Sequence, residues 1–283
     1  KVSGVQIIRS SNGPGGSSKI QLRGSNSITG LNQPLIVVDG VPVDNFTGAD
    51  NNNYWNPSAD MGNGLSDINP DDIESMSVLK GASAAALYGS RAGSGVILIT
   101  TKKGNKNKGL GVTVSSSVSM ETPFLIPDMQ TSYGQGSNGI YDKNSSNSWG
   151  PQIAGQQYES WDGSNQKMRS FDNVKNFFDT GVNYTENVSF SQQYDKSTYY
   201  ASVTRMDDKS MIPEAKLSRT NLMLRQTSKF GANDRWSTDM KVQYILSEAN
   251  NRPVSGNNTS NRFMTMYSFP VSLDIRDFAP ALN

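Results

Sequence analysis

At 283 residues the chain is long enough for one or two domains. Lys and Arg number 26 against 25 Asp and Glu, a net charge of +1 that gives no electrostatic case for nucleic-acid binding. The chain has no cysteine, which excludes disulfides and thiolate metal sites, and no histidine, which removes the usual general base, the Ser-His-Asp triad and most zinc chemistry.

An enzyme running on carboxylates alone is still open, as in glycosidases. Mean hydropathy is −0.55, and no apolar run reaches the roughly 18 residues of a membrane-spanning helix. That does not exclude a membrane barrel, whose strands alternate lipid-facing with lumen-facing residues. The opening Lys1-Val2-Ser3-Gly4-Val5 reads as folded sequence rather than a signal peptide, so the true N-terminus is expected to lie upstream.

Up to about residue 104 the chain carries short apolar runs between turn signals: 5–8, 20–23, 35–38 and 96–99. Runs of this length, rich in β-branched residues, predict strands buried on both faces. Asn69-Pro70-Asp71-Asp72-Ile73 reads as a helix start with acidic residues in the first turn. Ala82 to Tyr88 is a strong short helix former, with Gly89 placed to end it. The basic run Lys102, Lys103, Lys106, Lys108 sits among Gly and Asn and reads as a solvated linker. This half predicts a small α+β domain.

From Leu110 the pattern changes to period two. Val112, Val114, Val118 and Met120 share one face, and Trp236, Thr238, Met240, Val242, Tyr244 and Leu246 alternate with Ser237, Asp239, Lys241, Gln243, Ile245 and Ser247. Noisier strands are expected over 183–193, 198–206 and 219–229. Each is about as long as a tilted strand needs to cross a hydrocarbon layer. Alternation alone fits a soluble β-sandwich equally well. Connection lengths favour the barrel. Tyr194-Asp195-Lys196-Ser197 and 230–235 are short, whereas 122–182 and the stretch from Asn250 onward are long and polar.

One stretch is more specific. Ile73-Glu74-Ser75-Met76-Ser77-Val78-Leu79-Lys80-Gly81, the Ala-rich 82–86, Leu87-Tyr88-Gly89 and the Gly-rich turn into 96–101 resemble the end of the plug domain of TonB-dependent receptors. Ile20-Gln21-Leu22-Arg23-Gly24 and Leu35-Ile36-Val37-Val38-Asp39-Gly40-Val41-Pro42 match plug strands in the same order, and the wording resembles the SusC/RagA branch. The resemblance implies an α+β plug over 1–104, a linker over 105–109, and antiparallel transmembrane β-barrel strands over 110–283 with long extracellular loops. A full barrel of this family has about 22 strands, and about five can be found here. A signal peptide, a small β-sandwich extension and a TonB box are expected to precede the residues given.

The resemblance further implies import of a nutrient across the bacterial outer membrane, driven by the TonB complex and shared with a SusD-like surface lipoprotein. Oligosaccharide is the first expected cargo and oligopeptide the second; no bond chemistry, cofactor, metal or nucleic acid is expected. A siderophore or vitamin receptor of the same fold and a secreted carbohydrate-binding sandwich are the alternatives. Tyr54, Trp55, Trp149, Tyr158 and Trp161 stand among Asn, Gln and Asp, which suits stacking on sugar rings, although they could equally anchor the loops' own packing. Arg23 and Lys80 match plug positions whose cations meet barrel carboxylates, or else line a wet lumen. Gly13 to Lys19 lacks the Gly before Lys of a P-loop, and 50–61 fails the EF-hand spacing.

Overall fold

The computed structural model describes residues 5–9, 13–22, 33–43, 60, 62, 64–65, 67–80, 82–106, 109–254, 256–257 and 260–282. In the first half, β1 (Val5–Arg9) and β2 (Ser18–Leu22) pair antiparallel as a separate ribbon. β3 (Leu35–Val38) and β4 (Val41–Val43) are joined by Asp39-Gly40, both at positive φ (50° and 87°). That is the two-residue hairpin turn whose backbone matches the twist of its strands. Pro70–Asp72 forms a 3-10 turn capped by the Asn69 side chain, which accepts from the Asp71 amide.

β5 (Ile73–Leu79), α1 (Ala82–Tyr88) and β6 (Val96–Thr101) complete this half, and Gly89 at φ 68° ends the helix. The sheet order is β4-β3-β6-β5, with β3 parallel to β6. Ile36, Ile97 and Ile99 pack against Ile20 and Leu22 on one face, while Val37 and Val96 pack against Ala84 and Ala92 on the other. Two covered faces explain the continuous apolar runs of β3 and β6. The same expectation fails for β1, where Ile7 is 61% exposed, because its ribbon has only one face to bury.

The second half opens with β7 (Val112–Glu121). A long connection carries β8 (Gln157–Glu159), β9 (Asn165–Lys167) and α2 (Asn173–Phe177). β10 (Gly181–Tyr194), β11 (Ser197–Lys209), β12 (Lys216–Phe230) and β13 (Trp236–Asn250) follow, then α3 (Arg262–Tyr267) and a 3-10 segment. The strands form one antiparallel sheet, β13-β12-β11-β10-β7, separate from the sheet that holds β6. At one rim the hairpins close through Asp195-Lys196 and through 231–235. Among the described residues no helix is long and apolar enough to cross a membrane, which says nothing of strands.

Register aligns two apolar rows across all five strands of the outer face. One runs Val112, Phe190, Ala201, Leu224, Val242 and the next Val114, Val188, Val203, Leu222, Tyr244. These rows face outward, with Val114 71% and Val242 64% exposed. The opposite face is polar and buried: Ser189 aligns with Ser202, and Asn187 with Thr204 and Asn221. A water-soluble sandwich buries its apolar face, so this inverted sheet is built for an apolar solvent outside and a polar filling inside. Toward the long loops, Arg205 forks onto Asp207 at 2.7 and 3.0 Å and limits the apolar rows.

The long connections are not simply polar loops. Val174 and Phe177 of α2, Ile212 and Ala215 between β11 and β12, and Met266 and Ile275 near the end of the chain form one apolar core. Nor is the segment after β6 merely solvated. Lys103 pairs with Asp239 at 3.2 Å, the Asn105 amide donates to Ser191 Oγ, and Gln192 Nε2 donates to the Gly109 carbonyl. Gly104 lies so close to β11 that a Cβ there would meet Tyr199 N at 2.3 Å.

Candidate functional site

The polar inner face of the strands receives the first domain through a set of carboxylates. The Asp39-Gly40 turn that reverses β3 into β4 also presents Asp39 to the wall. Its Oδ1 accepts from Arg225 NH1 (3.1 Å) and its Oδ2 from Lys241 Nζ (2.6 Å). The Thr101 amide and hydroxyl donate to the same carboxylate at 2.9 and 2.7 Å. Burial alone would raise the Asp39 carboxyl, but the bonds from Lys241 and Thr101 and the Lys241 charge hold it well below the ordinary carboxylate range.

Arg225 is the hub. Nε and NH2 grip Asp239 at 2.8 and 2.7 Å, while NH1 also donates to Thr101 Oγ1 (2.6 Å) and the Thr101 carbonyl (3.0 Å). Its side chain is 4% exposed. The planar fork suits this geometry, since one cation satisfies a carboxylate on each side of the interface.

Asp72, at the end of the 3-10 turn, is also buried. It accepts from Tyr200 OH (2.9 Å) and Ser202 Oγ (2.6 Å), and from Asn69 Nδ2 (2.8 Å), which also reaches Thr204. At the other end, Asp60 accepts from the Ser17 amide and hydroxyl, and Arg252, just past β13, donates to the Asp60 and Gly15 carbonyls. Arg219 meets Asp67 at 3.3 Å. Among the described residues the two domains meet largely through discrete charge-assisted bonds, with Leu217 and Pro253 beside Gly15 and Gly13.

Of the sequence-predicted residues, Arg23, Tyr54 and Trp55 lie outside the described residues. Lys80 is half-buried directly after β5. Trp149 is 60% exposed and tilted against Tyr133. Tyr158 is buried among loop residues, with its hydroxyl donating to the Ser272 carbonyl at 3.1 Å. Trp161 packs on Phe278, 4.6 Å between ring centroids, and among the described residues makes no ring contact with Trp149. Sequence reasoning missed Asp39, Asp72, Arg225 and Lys241. The alternation of β12 and β13 does put Arg225 and Lys241 on the inner face, and that was the available signal.

An α+β domain seated on the polar face of a sheet with apolar rows outside defines a plug and barrel wall of the outer-membrane receptor class. Residues 1–96 match the family model described as TonB-dependent Receptor Plug Domain. A TonB-dependent receptor SusC from Bacteroides thetaiotaomicron is 33% identical over 219 residues, covering 77% of this chain and 19% of that protein. TonB-dependent receptor P26 of Formosa agariphila is 29% identical over 262 residues, covering 89% and 23%. The chain therefore spans about a fifth of the length of the curated relatives it matches. A structure of the RagAB peptide transporter superposes with a TM-score of 0.60 at 22% identity, covering 88% of this chain and 28% of that one, a likeness of fold. The chain belongs to the TonB-dependent receptors, with SusC among its sequence relatives, and its compartment is the bacterial outer membrane.

Proposed function

We propose that this chain supplies the plug and first wall strands of an importer that takes up a nutrient across the outer membrane. The observation that carries this reading is the interface of Asp39, Thr101, Arg225 and Lys241, which seats the plug through separable polar contacts. A TonB-coupled pull on the plug breaks such contacts one at a time, whereas an apolar seam of equal area would have to be exposed to water all at once. The proposed domains are a plug over 1–104, a linker over 105–109 and wall strands with extracellular loops over 110–283.

A SusD-like lipoprotein is the proposed lid, docking partly on the loops 122–182 and 249–262. Oligosaccharide is the favoured cargo and oligopeptide the second, in keeping with relatives named SusC and a peptide transporter. Arg23 and Lys80 are proposed as further plug cations toward the wall, and Tyr54, Trp55, Trp149, Tyr158 and Trp161 as cargo-side aromatics. The test is nutrient uptake by cells carrying or lacking a functional TonB, with pull-down of the receptor from detergent-solubilised membranes. Import that stops without TonB and a co-purifying lipoprotein are expected. Uptake indifferent to TonB, or a receptor that always elutes alone, contradicts the reading.

A further inference from the structure

A cavity of about 280 Å³ lies between the β7–β10 connection and the segment after β13. Gln130 and Trp149 line one side, Tyr267 and Phe269 the other, with Asn173 of α2 among them. The walls are fixed by their own bonds. Gln130 Nε2 donates to the Tyr133 and Ser148 carbonyls at 2.9 and 2.6 Å. Asn173 Nδ2 donates to the Leu273 carbonyl at 2.8 Å, and its Oδ1 accepts from the Ile275 amide at 3.0 Å.

Two polar aromatic groups are left over. Among the described residues the Trp149 ring N–H and the Tyr267 hydroxyl have no protein partner, and the two side chains are 60% and 46% exposed. Among the described residues that line it, none is charged. Arg169 is not part of the lining; its guanidinium is held over the ring of the lining residue Phe171, 4.6 Å from the centroid.

We propose that this cavity is a subsite for one neutral sugar ring of an oligosaccharide cargo, stacked on Trp149 and hydrogen-bonded by Tyr267. The proposal rests on the importer reading above and adds a charge rule to it. A pyranose offers an apolar face to an indole and hydroxyls to free donors and acceptors, and at about 280 Å³ the space holds a single ring unit rather than a chain. A uronate, a sulfate ester or an ionised peptide terminus would shed water here without meeting a countercharge. Trp161 and Tyr158 line no part of the cavity.

The test is calorimetric titration of the full receptor in detergent with neutral gluco-, manno- and galacto-hexaoses, a hexauronate and an uncapped hexapeptide. Binding of at least one neutral hexaose is expected, with neither charged ligand binding. Trp149→Ala should weaken that binding about tenfold, and Tyr267→Phe, which removes only the hydroxyl, about threefold. Three results each overturn the subsite: no neutral hexaose binds, a charged ligand binds as tightly, or both variants bind like wild type. TonB-dependent uptake, measured in parallel on the same variants, separates the two claims. Normal TonB-dependent uptake with unaltered binding in the variants removes the subsite alone, whereas TonB-independent uptake removes the importer reading.

Discussion

Replacing Arg225 with Ala should loosen the plug without dismantling the wall. The guanidinium is 4% exposed and joins Asp39 and Thr101 of the plug to Asp239 of the wall. Removing one partner of a buried pair costs about 3–5 kcal/mol, because the stranded charge stays desolvated. Two features move this case to the lower end. Asp39 keeps Lys241 at 2.6 Å, and Asp239 is 39% exposed and keeps Lys103 at 3.2 Å. A loss of about 3 kcal/mol corresponds to roughly two orders of magnitude in the plug's opening equilibrium. Hydrogen exchange of the intact receptor reads this directly. Amides of β3 and β6 should exchange about a hundredfold faster, while those at the centre of β12 stay protected. Arg225→Lys, which keeps the charge but loses the fork, should fall between. Exchange in β3 and β6 within threefold of wild type would refute the reasoning.

Further outcomes follow from the same geometry. Val242→Arg, on the outward apolar row, should cost roughly 2–4 kcal/mol near the bilayer midplane and Gln243→Arg much less, measured by barrel unfolding in lipid vesicles; equal tolerance contradicts the register. Gly104→Val should lower the yield of heat-resistant folded receptor, because a Cβ would press into the β11 backbone at 2.3 Å; a normal yield counts against close seating of the segment after β6. Asp39 has a folded value depressed below its ordinary 3.8, so its contribution to plug seating is complete above that pH and lost as the pH falls below it. Amides of β3, after correction for intrinsic exchange, should therefore be less protected at pH 2.5 than at 4.5, and Asp39→Asn should abolish most of that difference. A loss of protection already between pH 7 and 5 assigns the dependence to another group.

Much of the architecture was legible because strand periodicity reports a face. Trp236 to Leu246 alternates cleanly, and the outward rows followed from it. The Asp39-Gly40 turn was equally readable, since few residue pairs accept positive φ twice in succession. Periodicity does not report a partner, however. Asp39 and Arg225 are 186 residues apart, and nothing local says that the plug contributes the acid and the wall the cation. The expected polarity came from resemblance and put cations on the plug at Arg23 and Lys80. Among the described residues both polarities occur: Asp39 and Asp67 of the plug meet Lys241, Arg225 and Arg219 of the wall, while Lys103 meets Asp239 of the wall. α2 and α3, five and six residues long, are too short to leave a helical period, so the apolar core of the long connections was invisible.

The most direct measurement is a cysteine scan of β13 in an intact receptor freed of any cysteine outside these 283 residues, which have none. Single cysteines placed in turn from 236 to 246 in the intact receptor can be spin-labelled in lipid vesicles and probed with oxygen and a water-soluble nickel chelate. Positions 238, 240, 242, 244 and 246 should relax with oxygen and stay shielded from nickel, and 239, 241, 243 and 245 should show the reverse or protection by the plug. Nickel access at 240, 242 and 244 matching that at 241 and 243 would mean that this face never meets lipid, and would contradict the account.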